Sequence, residues 1–253
     1  MRRALISDIH GNLEALSAVL ADIQRRGIDE IYFLGDVVGY GPNPEECTDL
    51  TMKNCKLHLL GNHDDALLRK AVGFNPLAKS AIDCTRERMK PDQSSQPQER
   101  ARWEYLESLQ RIHAEAGLTF VHASPRDYIF EYILPSSAHF EREKLKDVFT
   151  RFERVCFVGH SHLPGVMTEE PRFYTPRELS GEYRFPDPPQ KVVVNIGSVG
   201  QPRDRDPRAC YLELDDTACR WNRVEYDVQK TVEKVRSSSC LDVRNGLRLI
   251  EGR

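Results

Sequence analysis

The chain has 253 residues, of which 40% are hydrophobic, and carries a formal net charge of −3 at pH 7. That length and composition allow a substantial buried core, whereas the small net charge provides no general attraction for nucleic acid or an anionic membrane. Since the N-terminal segment has no long apolar region typical of a secretory signal and no later stretch is apolar enough to span a bilayer, we expect a cytoplasmic protein that does not enter membranes or form stable complexes with nucleic acid.

The N-terminal part of the chain alternates between buried strands and helices. Residues 3–7 have the pattern of a short strand, and Asn12 then opens a helix that Gly27 ends. Two further apolar runs, 31–34 and 57–60, complete a βαβαβ pattern. Such a pattern predicts a parallel sheet with right-handed crossovers and with functional residues beyond the carboxyl ends of its strands.

A helical insertion follows the third strand. It spans about residues 64–116 and contains an exposed polar loop at 91–98. Apolar positions at helical spacing predict helices at 66–72, 77–89 and 103–112.

Strands resume after the insertion, and the charged tail at 228–253 is predicted to be helical. Residues 162–191 are dense in proline and aromatic residues, which favours a covering loop or an irregular hairpin over a central strand. We expect one domain over residues 1–253. The predicted strands of the second half are 119–121, 155–158, 192–196, 210–214 and 221–226.

The cysteines do not follow the pattern of a disulfide framework or of a thiolate zinc site. They are odd in number and scattered, and no two of them form a CxxC pair. We therefore expect reduced and mostly buried thiols. The seven residues are Cys47, Cys55, Cys84, Cys156, Cys210, Cys219 and Cys240.

Five apolar runs end in residues that metals favour. Taken singly, an Asp-x-His pair or a buried histidine is often part of a turn, a helix cap or the core. In this order, however, the clusters are difficult to explain by structure alone, because a parallel sheet would bring all of them to one edge. The sequence therefore predicts a metal site built from Asp8 with His10, Asp36, Asn62 with His63, His122, and His160 with His162.

A site of this composition suits the hydrolysis of phosphate esters, in which an anionic nucleophile must approach an anionic centre. Two divalent cations about 3.5 to 4 Å apart assist this reaction by producing a hydroxide at neutral pH and by binding the phosphoryl oxygens. Imidazole, carboxylate and amide ligands together favour Mn, Fe, Zn, Co or Ni over Ca or thiolate-bound Cu. We therefore predict two divalent metal ions as cofactors and a small phosphoester as substrate.

These motifs resemble those of the calcineurin-like metallophosphoesterase superfamily. The resemblance rests on Asp8-x-His10, Gly35-Asp36, Gly61-Asn62-His63-Asp64, His122 after an apolar strand, and Gly159-His160-x-His162. It implies an α/β (α+β) fold, a four-layer sandwich of two mixed β-sheets flanked by helices, with a dinuclear metal site at the strand carboxyl ends. The turn at 195–198 and the following residues 201–203 are similar to the small prokaryotic phosphodiesterase branch.

Carried over position by position, the resemblance implies two ligand sets that share Asp36 as a bridge. It also implies that His63 is not a ligand and that it protonates the leaving oxygen or stabilises the developing charge. Asp64 is a candidate for orienting His63 by a hydrogen bond, although neighbours in sequence often point apart. The two sets are Asp8, His10, Asp36 and His162 for one metal, and Asp36, Asn62, His122 and His160 for the other.

Three further segments have both a functional and a structural interpretation. Residues 40–43 either line the substrate cleft or only reverse the chain in a Gly-Pro turn. The arginines within 203–208 offer guanidinium groups to a phosphate, but they alternate with acidic residues, which favours a solvated loop of local ion pairs. The aromatic residues within 128–132 either frame a pocket for a base or aromatic leaving group, or belong to the core or to an oligomer contact.

The leading hypothesis is a phosphodiesterase in which a hydroxide bridging two divalent metals attacks phosphorus directly, without a phosphoenzyme intermediate. The preference for diesters rests on the resemblance. A phosphomonoesterase is an alternative, and dinucleoside polyphosphate hydrolysis and nuclease activity are left open. A protein phosphatase is less favoured, because no arginine closely follows Asp36 and Asp64 stands after His63 where those enzymes typically have glutamate. The alternative from a different class is a metal-stiffened protein-binding module of the same fold, and a homo-oligomer is left open.

Overall fold

Two six-stranded β-sheets lie face to face, with helices on both outer sides. The structure is a computed structural model that describes residues 2–253. The strands are β1 (Arg3–Ile6), β2 (Glu30–Phe33), β3 (Leu57–His58), β4 (Ile112–Glu115), β5 (Leu118–Val121), β6 (Val155–Val158), β7 (Gly165–Thr168), β8 (Phe173–Tyr174), β9 (Glu182–Arg184), β10 (Val192–Asn195), β11 (Ala209–Leu214) and β12 (Ala218–Val224). The helices are α1 (Leu13–Arg25), α2 (Pro44–Asn54), α3 (Asn62–Leu68), α4 (Pro76–Met89), α5 (Pro97–Ser108), α6 (Ser137–Phe140), α7 (Arg142–Thr150), α8 (Val228–Ser237) and α9 (Arg244–Glu251).

The first sheet has the strand order β3-β2-β1-β11-β12-β9. Its first three strands are parallel, as the βαβαβ pattern predicts, and α1 and α2 form the crossovers. Strand β11 pairs with β1 in the antiparallel sense, with Leu212 opposite Leu5, and this pairing makes the sheet mixed. The parallel strands place the residues that follow them, including Asp8 and Asp36, at one edge of the sheet.

The second sheet has the strand order β4-β5-β6-β10-β7-β8. Strands β5, β6 and β10 are parallel, whereas β4 and β7 run antiparallel to β5 and β10. The carboxyl ends of β5 and β6 therefore lie at the same edge, and His122 and His160 follow them directly.

Alternating side chains along the strands divide the apolar residues among separate core layers. In β1, Leu5 packs between the two sheets with Phe120 and Phe157, whereas Ile6 points to the opposite face and packs against α1. On the other side of the sandwich, β6 and β10 pack against α7, where Leu145 is fully buried. The order of layers is helix, sheet, sheet, helix, which confirms the predicted fold class.

The segment after the third strand is helical over most of its length, but its end is not. Helix α5 ends at Ser108, and residues 112–115 form the edge strand β4 instead of continuing a helix as predicted. Ala116 and Gly117, with φ angles of 47° and 77°, make the two-residue turn between β4 and β5. Turns with two positive φ angles match the twist of a hairpin, so the local turn decides the conformation here.

The proline-rich segment agrees with its prediction in part. Strands β7 and β8 form an antiparallel hairpin, which is one of the two expected conformations, but β7 also pairs with β10 and so lies inside the second sheet, where no central strand was expected. The strand itself contains no proline, and the nearest prolines, Pro164 and Pro171, lie before and after it. The amides of β7 are thus free to donate along the ladder.

One pair of cysteines contradicts the prediction of reduced thiols. Cys84 on α4 and Cys240 between α8 and α9 form a disulfide. They are 156 residues apart in sequence, so their spacing gave no signal. The other five cysteines are free, as predicted: Cys47, Cys55, Cys156, Cys210 and Cys219.

The C-terminal tail is helical, as predicted, and packs onto the start of α1. The side chain of Asn12 caps α1 by accepting a hydrogen bond from the N–H of Ala15, and it also accepts one from Thr231 on α8 at 3.1 Å. Lys234 forms an ion pair with Glu14 at 2.6 Å. Among residues 2–253, no helix combines the length and the apolar character needed to cross a membrane.

Candidate metal centre

The predicted site residues meet at one end of the sandwich, where strands of both sheets end. Asp8 and Asp36 follow β1 and β2 of the first sheet, whereas His122 and His160 follow β5 and β6 of the second. Both sheets therefore contribute to the site, in agreement with the two mixed sheets that the resemblance implies and not with a single parallel sheet. Each sheet contributes a part because the parallel strands of both end at the same side of the molecule.

Several predicted ligands have a left-handed backbone conformation, which residues other than glycine rarely adopt. Such conformations persist only where the surrounding structure holds them, and they are frequent at functional sites. Here they turn the chain sharply just after the strands. The φ angles are 54°, 49°, 63°, 61° and 59° at Asp8, His10, Asp36, His160 and His162.

The glycines that precede the ligands are required by close approach. A Cβ atom on Gly159 would lie 2.5 Å from Oδ2 of Asp8, and one on Gly35 would lie 2.8 Å from Nδ1 of His122. No other residue type avoids these clashes. The Gly-Asp and Gly-His motifs therefore have a steric basis in addition to a chemical one.

Asp8, His10 and His162 form a compact buried group. Nε2 of His162 lies 3.1 Å from Oδ1 of Asp8 and 3.2 Å from Nε2 of His10. On the far side of the rings, Nδ1 of His10 lies 2.9 Å from the carbonyl oxygen of Val38, and Nδ1 of His162 lies 2.5 Å from that of Gln201. Because a carbonyl oxygen only accepts hydrogen bonds, both Nδ1 atoms carry a proton and donate it, which leaves a lone pair on each Nε2.

Acceptor atoms thus face one another in this group. Oδ1 of Asp8 is buried and has no hydrogen-bond partner among the described residues. Burial lowers the pKa of His10 to about 3 and holds the pKa of His162 well below its usual range, so neither ring readily takes a second proton. Facing lone pairs repel unless a cation lies between them. The residues present therefore fit a divalent metal ion.

A second group of acceptors adjoins the first. Oδ2 of Asp36 lies 3.4 Å from Nε2 of His122 and 3.8 Å from Nε2 of His10, and Oδ1 of Asn62 lies 3.1 Å from the same atom of His122. Nδ1 of His122 donates to the carbonyl oxygen of Leu34 at 2.8 Å. Burial opposes the protonation of His122, but the charge and hydrogen bond of Asp36 outweigh it and raise the pKa to about 9. Positive charge is thus favoured at this point, and Asp36 lies between the two groups.

His160 lies at the border of the second group. Its ring centroid is 5.0 Å from that of His122, but its Nε2 is 3.1 Å from the carbonyl oxygen of Phe130. The ring stacks on Tyr132 with a centroid distance of 3.9 Å, and the backbone N–H donates to Oδ2 of Asp8 at 3.0 Å. The structure therefore brings His160 to the site but does not place its ring in the compact groups formed by the other acidic and imidazole side chains.

His63 lies close to both His10 and Asp36. The ligating atoms of these three residues lie within 4.8 Å of one another. The ring centroid of His63 is 4.6 Å from that of His10 and 4.7 Å from that of Tyr40, and its buried Nδ1 has no partner among the described residues. Burial holds the pKa of His63 well below its usual range. This position suits either a metal ligand or a group that donates to a substrate oxygen.

The carboxylate of Asp64 has other partners than the expected one. Within residues 2–253 no hydrogen bond joins it to the ring of His63, whose Nδ1 is without a partner. Asp64 instead holds the loop that carries Asp36. It accepts hydrogen bonds from the backbone N–H groups of Gly61, Asp36, Val37 and Val38, at 3.1, 2.7, 3.0 and 3.3 Å.

The loop arginines fall into two kinds. Arg208 forms an ion pair with Asp206 at 2.7 Å, in agreement with the interpretation of local ion pairs. Arg203 instead donates to Oε1 of Gln201 at 2.8 Å, and its guanidinium carbon lies 5.9 Å from the ring centroid of Tyr40. Only the second kind faces the candidate metal centre.

Sequence reasoning missed the groups that support the ligands from behind. Ser198 donates to the carbonyl oxygen of Asp8 at 2.9 Å, and Asn195 donates to that of Gly159 at 2.6 Å. The turn at 195–198 contained a signal for these two residues. The carbonyl groups that orient the histidines left none, because every residue type has one.

Two mixed sheets with carboxylates and imidazoles clustered at the strand ends define the class of calcineurin-like metallophosphoesterases. Residues 1–217 match the family model of the calcineurin-like phosphoesterase superfamily domain. The chain therefore belongs to the calcineurin-like phosphoesterase superfamily, which confirms the family indicated by the motifs. This is a family of phosphoester hydrolases that typically use divalent metals.

Similar proteins come from bacteria and archaea. An uncharacterized protein of Methanocaldococcus jannaschii is 40% identical over 242 residues, which cover 92% of this chain and 90% of that protein. The crystal structure of a metallophosphoesterase from Sphaerobacter thermophilus is 34% identical with a TM-score of 0.82, and the match covers 100% of both chains. A hypothetical protein from Pyrococcus horikoshii OT3, 19% identical with a TM-score of 0.73 over 100% of this chain and 98% of its own, shares the fold.

Proposed function

We propose that this protein is a metal-dependent phosphodiesterase. The observation that carries the proposal is the pair of adjoining groups in which buried acceptor atoms face one another, with Asp36 between them. Membership of a phosphoester hydrolase family supports the reaction type. The preference for diesters is supported by the turn at 195–198 and by residues 201–203, which are similar to those of the small prokaryotic phosphodiesterases.

Two ligand sets follow from the family pattern and from the contacts. His160 joins the second set on the family pattern, and its Nε2 would then leave the carbonyl oxygen of Phe130. Mixed ligands of this kind suit Mn, Fe, Zn, Co or Ni. The proposed sets are Asp8, His10, Asp36 and His162 for one ion, and Asp36, Asn62, His122 and His160 for the other.

The residues around the metals have separable tasks. Two divalent ions bound there would supply a hydroxide at neutral pH for direct attack on phosphorus and would neutralise the phosphoryl oxygens. His63, with a ring nitrogen that has no protein partner, donates a proton or a hydrogen bond to the leaving oxygen. Asp64 is a positioning residue, since it accepts hydrogen bonds from three backbone N–H groups of the loop of Asp36.

The test is hydrolysis of bis-p-nitrophenyl phosphate by the full chain, with and without Mn²⁺ and after treatment with a chelator. We expect turnover that requires the metal, and a higher kcat/KM for the diester than for p-nitrophenyl phosphate. A preference for the monoester would be consistent with a metal-dependent phosphoester hydrolase but would contradict the proposal of a phosphodiesterase. No metal-dependent turnover on any phosphoester would favour the protein-binding module.

A further inference from the structure

Two arginines converge on the ring of Tyr40 beside the candidate metal centre. The guanidinium carbons of Arg203 and Arg248 lie 5.9 and 5.8 Å from the centroid of this ring. The same centroid lies 4.8 Å from that of His10 and 4.7 Å from that of His63. Two positive charges are therefore separated from the proposed catalytic groups by the width of one aromatic ring.

Neither guanidinium group forms an ion pair with a carboxylate side chain within the part of the chain that the structure describes. Both N–H contacts of Arg203 go to Oε1 of Gln201, at 2.8 and 3.3 Å. Nε of Arg248 donates to the carbonyl oxygen of Arg253 at 3.1 Å. These contacts orient the two side chains, and none of them comes from an acidic side chain.

Nearby arginines behave differently. Arg208, on the same loop as Arg203, forms an ion pair with Asp206 at 2.7 Å. Arg244, on the same helix as Arg248, forms one with Asp242 at 2.6 Å. Arg208 and Arg244 therefore each have an acidic side chain as partner, whereas Arg203 and Arg248 beside the candidate metal centre have none. Two guanidinium groups without an acidic side chain as partner, next to a proposed site for anionic substrates, point to an anion as their ligand.

The two guanidinium groups are close enough for their positive charges to repel each other. Burial, and then the charge of Arg203, lower the pKa of Arg248. An anion bound between the guanidinium groups would relieve this repulsion, and the fork of N–H donors on each group matches the oxygens of a phosphate.

The position of Arg248 relative to Arg203 is fixed by the fold. The backbone N–H of Arg205 donates to the carbonyl oxygen of Gly252 at 2.9 Å, which joins the loop of one arginine to the end of the helix of the other. The disulfide between Cys84 and Cys240 anchors the start of the same helical segment to α4. Helix α9 lies outside residues 1–217, the range matched by the family model, so this contribution belongs to the tail of the chain.

We infer that Arg203 and Arg248 bind a second phosphate group of the substrate, next to the phosphorus that reacts at the metal centre. The substrate class is then a phosphoester with a further phosphoryl group, of the kind found in derivatives of nucleoside diphosphates. This inference rests on the proposed phosphoesterase function. Arg203 and Arg248 determine specificity, and the ring of Tyr40 holds both guanidinium groups through cation–π contacts.

The experiment compares AMP and ADP, which differ by one phosphoryl group, as competitive inhibitors of bis-p-nitrophenyl phosphate hydrolysis at a constant concentration of free Mn²⁺. In the parent protein we expect ADP to bind about tenfold more tightly than AMP, because charge-assisted hydrogen bonds are added. Arg248→Gln should bring the ratio of the two inhibition constants close to one. Arg244→Gln, on the same helix but paired with Asp242, is the matched control and should keep the parental ratio.

The outcomes separate this inference from the proposed function. Equal inhibition by AMP and ADP in the parent, or an unchanged ratio in Arg248→Gln, would overturn the inference while the phosphodiesterase stands. If no Mn²⁺-dependent turnover occurs, the proposed function fails, and calorimetric binding of ADP and AMP to the parent and to Arg248→Gln then decides the inference by the same ratio. Should Arg248→Gln not fold, Arg248→Lys replaces it, and the loss of the planar fork is expected to reduce the ratio in the same direction.

Discussion

The rings of His10, His122 and His162 each donate Nδ1–H to a backbone carbonyl oxygen. Each of these bonds holds its ring at a fixed angle, and in His10 and His162, whose pKa values are low, it selects the tautomer whose Nε2 is an acceptor. The cost of gathering such acceptors is high when nothing positive lies between them. The site is therefore organised for a cation by groups that belong to the backbone as much as by the ligands themselves.

His63→Ala tests the role of the histidine that is not a proposed metal ligand. Because His63 is proposed to donate to the leaving oxygen and not to bind metal, we expect both metals to be retained and the rate to fall by a factor of about 10²–10⁴, the usual range for general acid catalysis. Metal content by atomic emission and kcat for the diester are the measurements. His139→Ala, at an exposed position of α6, is the control and should change neither. Loss of a metal in His63→Ala would show that His63 is itself a ligand. Its position is compatible with that role, because its ligating atom lies within 4.8 Å of those of His10 and Asp36.

Asp36→Asn tests whether Asp36 bridges the two proposed metal ions. The carboxylate of Asp36 lies within 3.8 Å of the Nε2 atoms of both His10 and His122, so it is shared by the two proposed sets. Replacing it by an amide should weaken both metal sites together. Calorimetric titration with Mn²⁺ measures the two affinities, and departure of one metal alone would mean that Asp36 does not bridge.

At the scale of elements, the start of α3 and the loop after β2 form one unit. Helix α3 begins at Asn62, so its first turn carries Asn62, His63 and Asp64 in succession. The helix N-terminus and the loop amides both direct N–H groups at the carboxylate of Asp64. A short helix is thus used to hold the backbone of the neighbouring strand end at the site.

Asp64→Asn should weaken this unit. An amide offers one acceptor oxygen in place of two and turns an N–H donor toward other donors, so buried N–H groups lose their partner at a cost of about 1–3 kcal/mol. We expect a lower free energy of unfolding in urea and a lower affinity for Mn²⁺. Asp147→Asn is the control, because Asp147 forms a solvent-exposed ion pair with Arg151 at 3.1 Å on α7 and should change stability by less than about 1 kcal/mol. Equal effects of the two substitutions would contradict the positioning role of Asp64.

The elements that were predicted well are those in which local pattern and tertiary structure agree. The parallel strands β1 and β2 are buried runs bounded by caps and glycines, and both signals point to the same structure. Strands β4 and β7 were missed for different reasons. The first depends on a turn with two positive φ angles, and the second is a four-residue run in a segment whose composition suggests a loop.

The residues of the site can likewise be divided into those that the sequence predicted and those that it did not. The acidic and imidazole residues were predicted because they end apolar runs in a recognisable order. The placement of Arg248 beside the site was not predicted, since it depends on contacts between the tail and residues more than 200 positions earlier in the chain. Its guanidinium carbon lies 5.8 Å from the ring centroid of Tyr40. Contacts between distant segments of this kind leave no periodic signal in a single sequence.

At the scale of the whole molecule, the disulfide joins the tail to the helical segment after the third strand. A cross-link between residues 156 positions apart in sequence restricts the unfolded chain, and such bonds typically contribute about 2–4 kcal/mol. The double variant Cys84→Ser with Cys240→Ser should lose stability by this amount in urea unfolding. Its unfolding should be insensitive to a reductant, whereas that of the parent and of the control Cys55→Ser should respond. A parent whose unfolding ignores the reductant would contradict the cross-link.

The two sheets each supply part of the proposed cation site, and this arrangement would link metal occupancy to the integrity of the sandwich. Any opening of the interface between the sheets at that end separates Asp8 and Asp36 from His122, and so must release the ion. Occupancy then stabilises the native state by RT ln(1 + [L]/Kd), about 2.7 kcal/mol when the free ion is 100-fold above its dissociation constant. Thermal melts across a series of Mn²⁺ concentrations should therefore shift upward with the logarithm of the free ion, and a melting temperature that does not respond would mean that the native state does not bind the ion more tightly than the unfolded chain does.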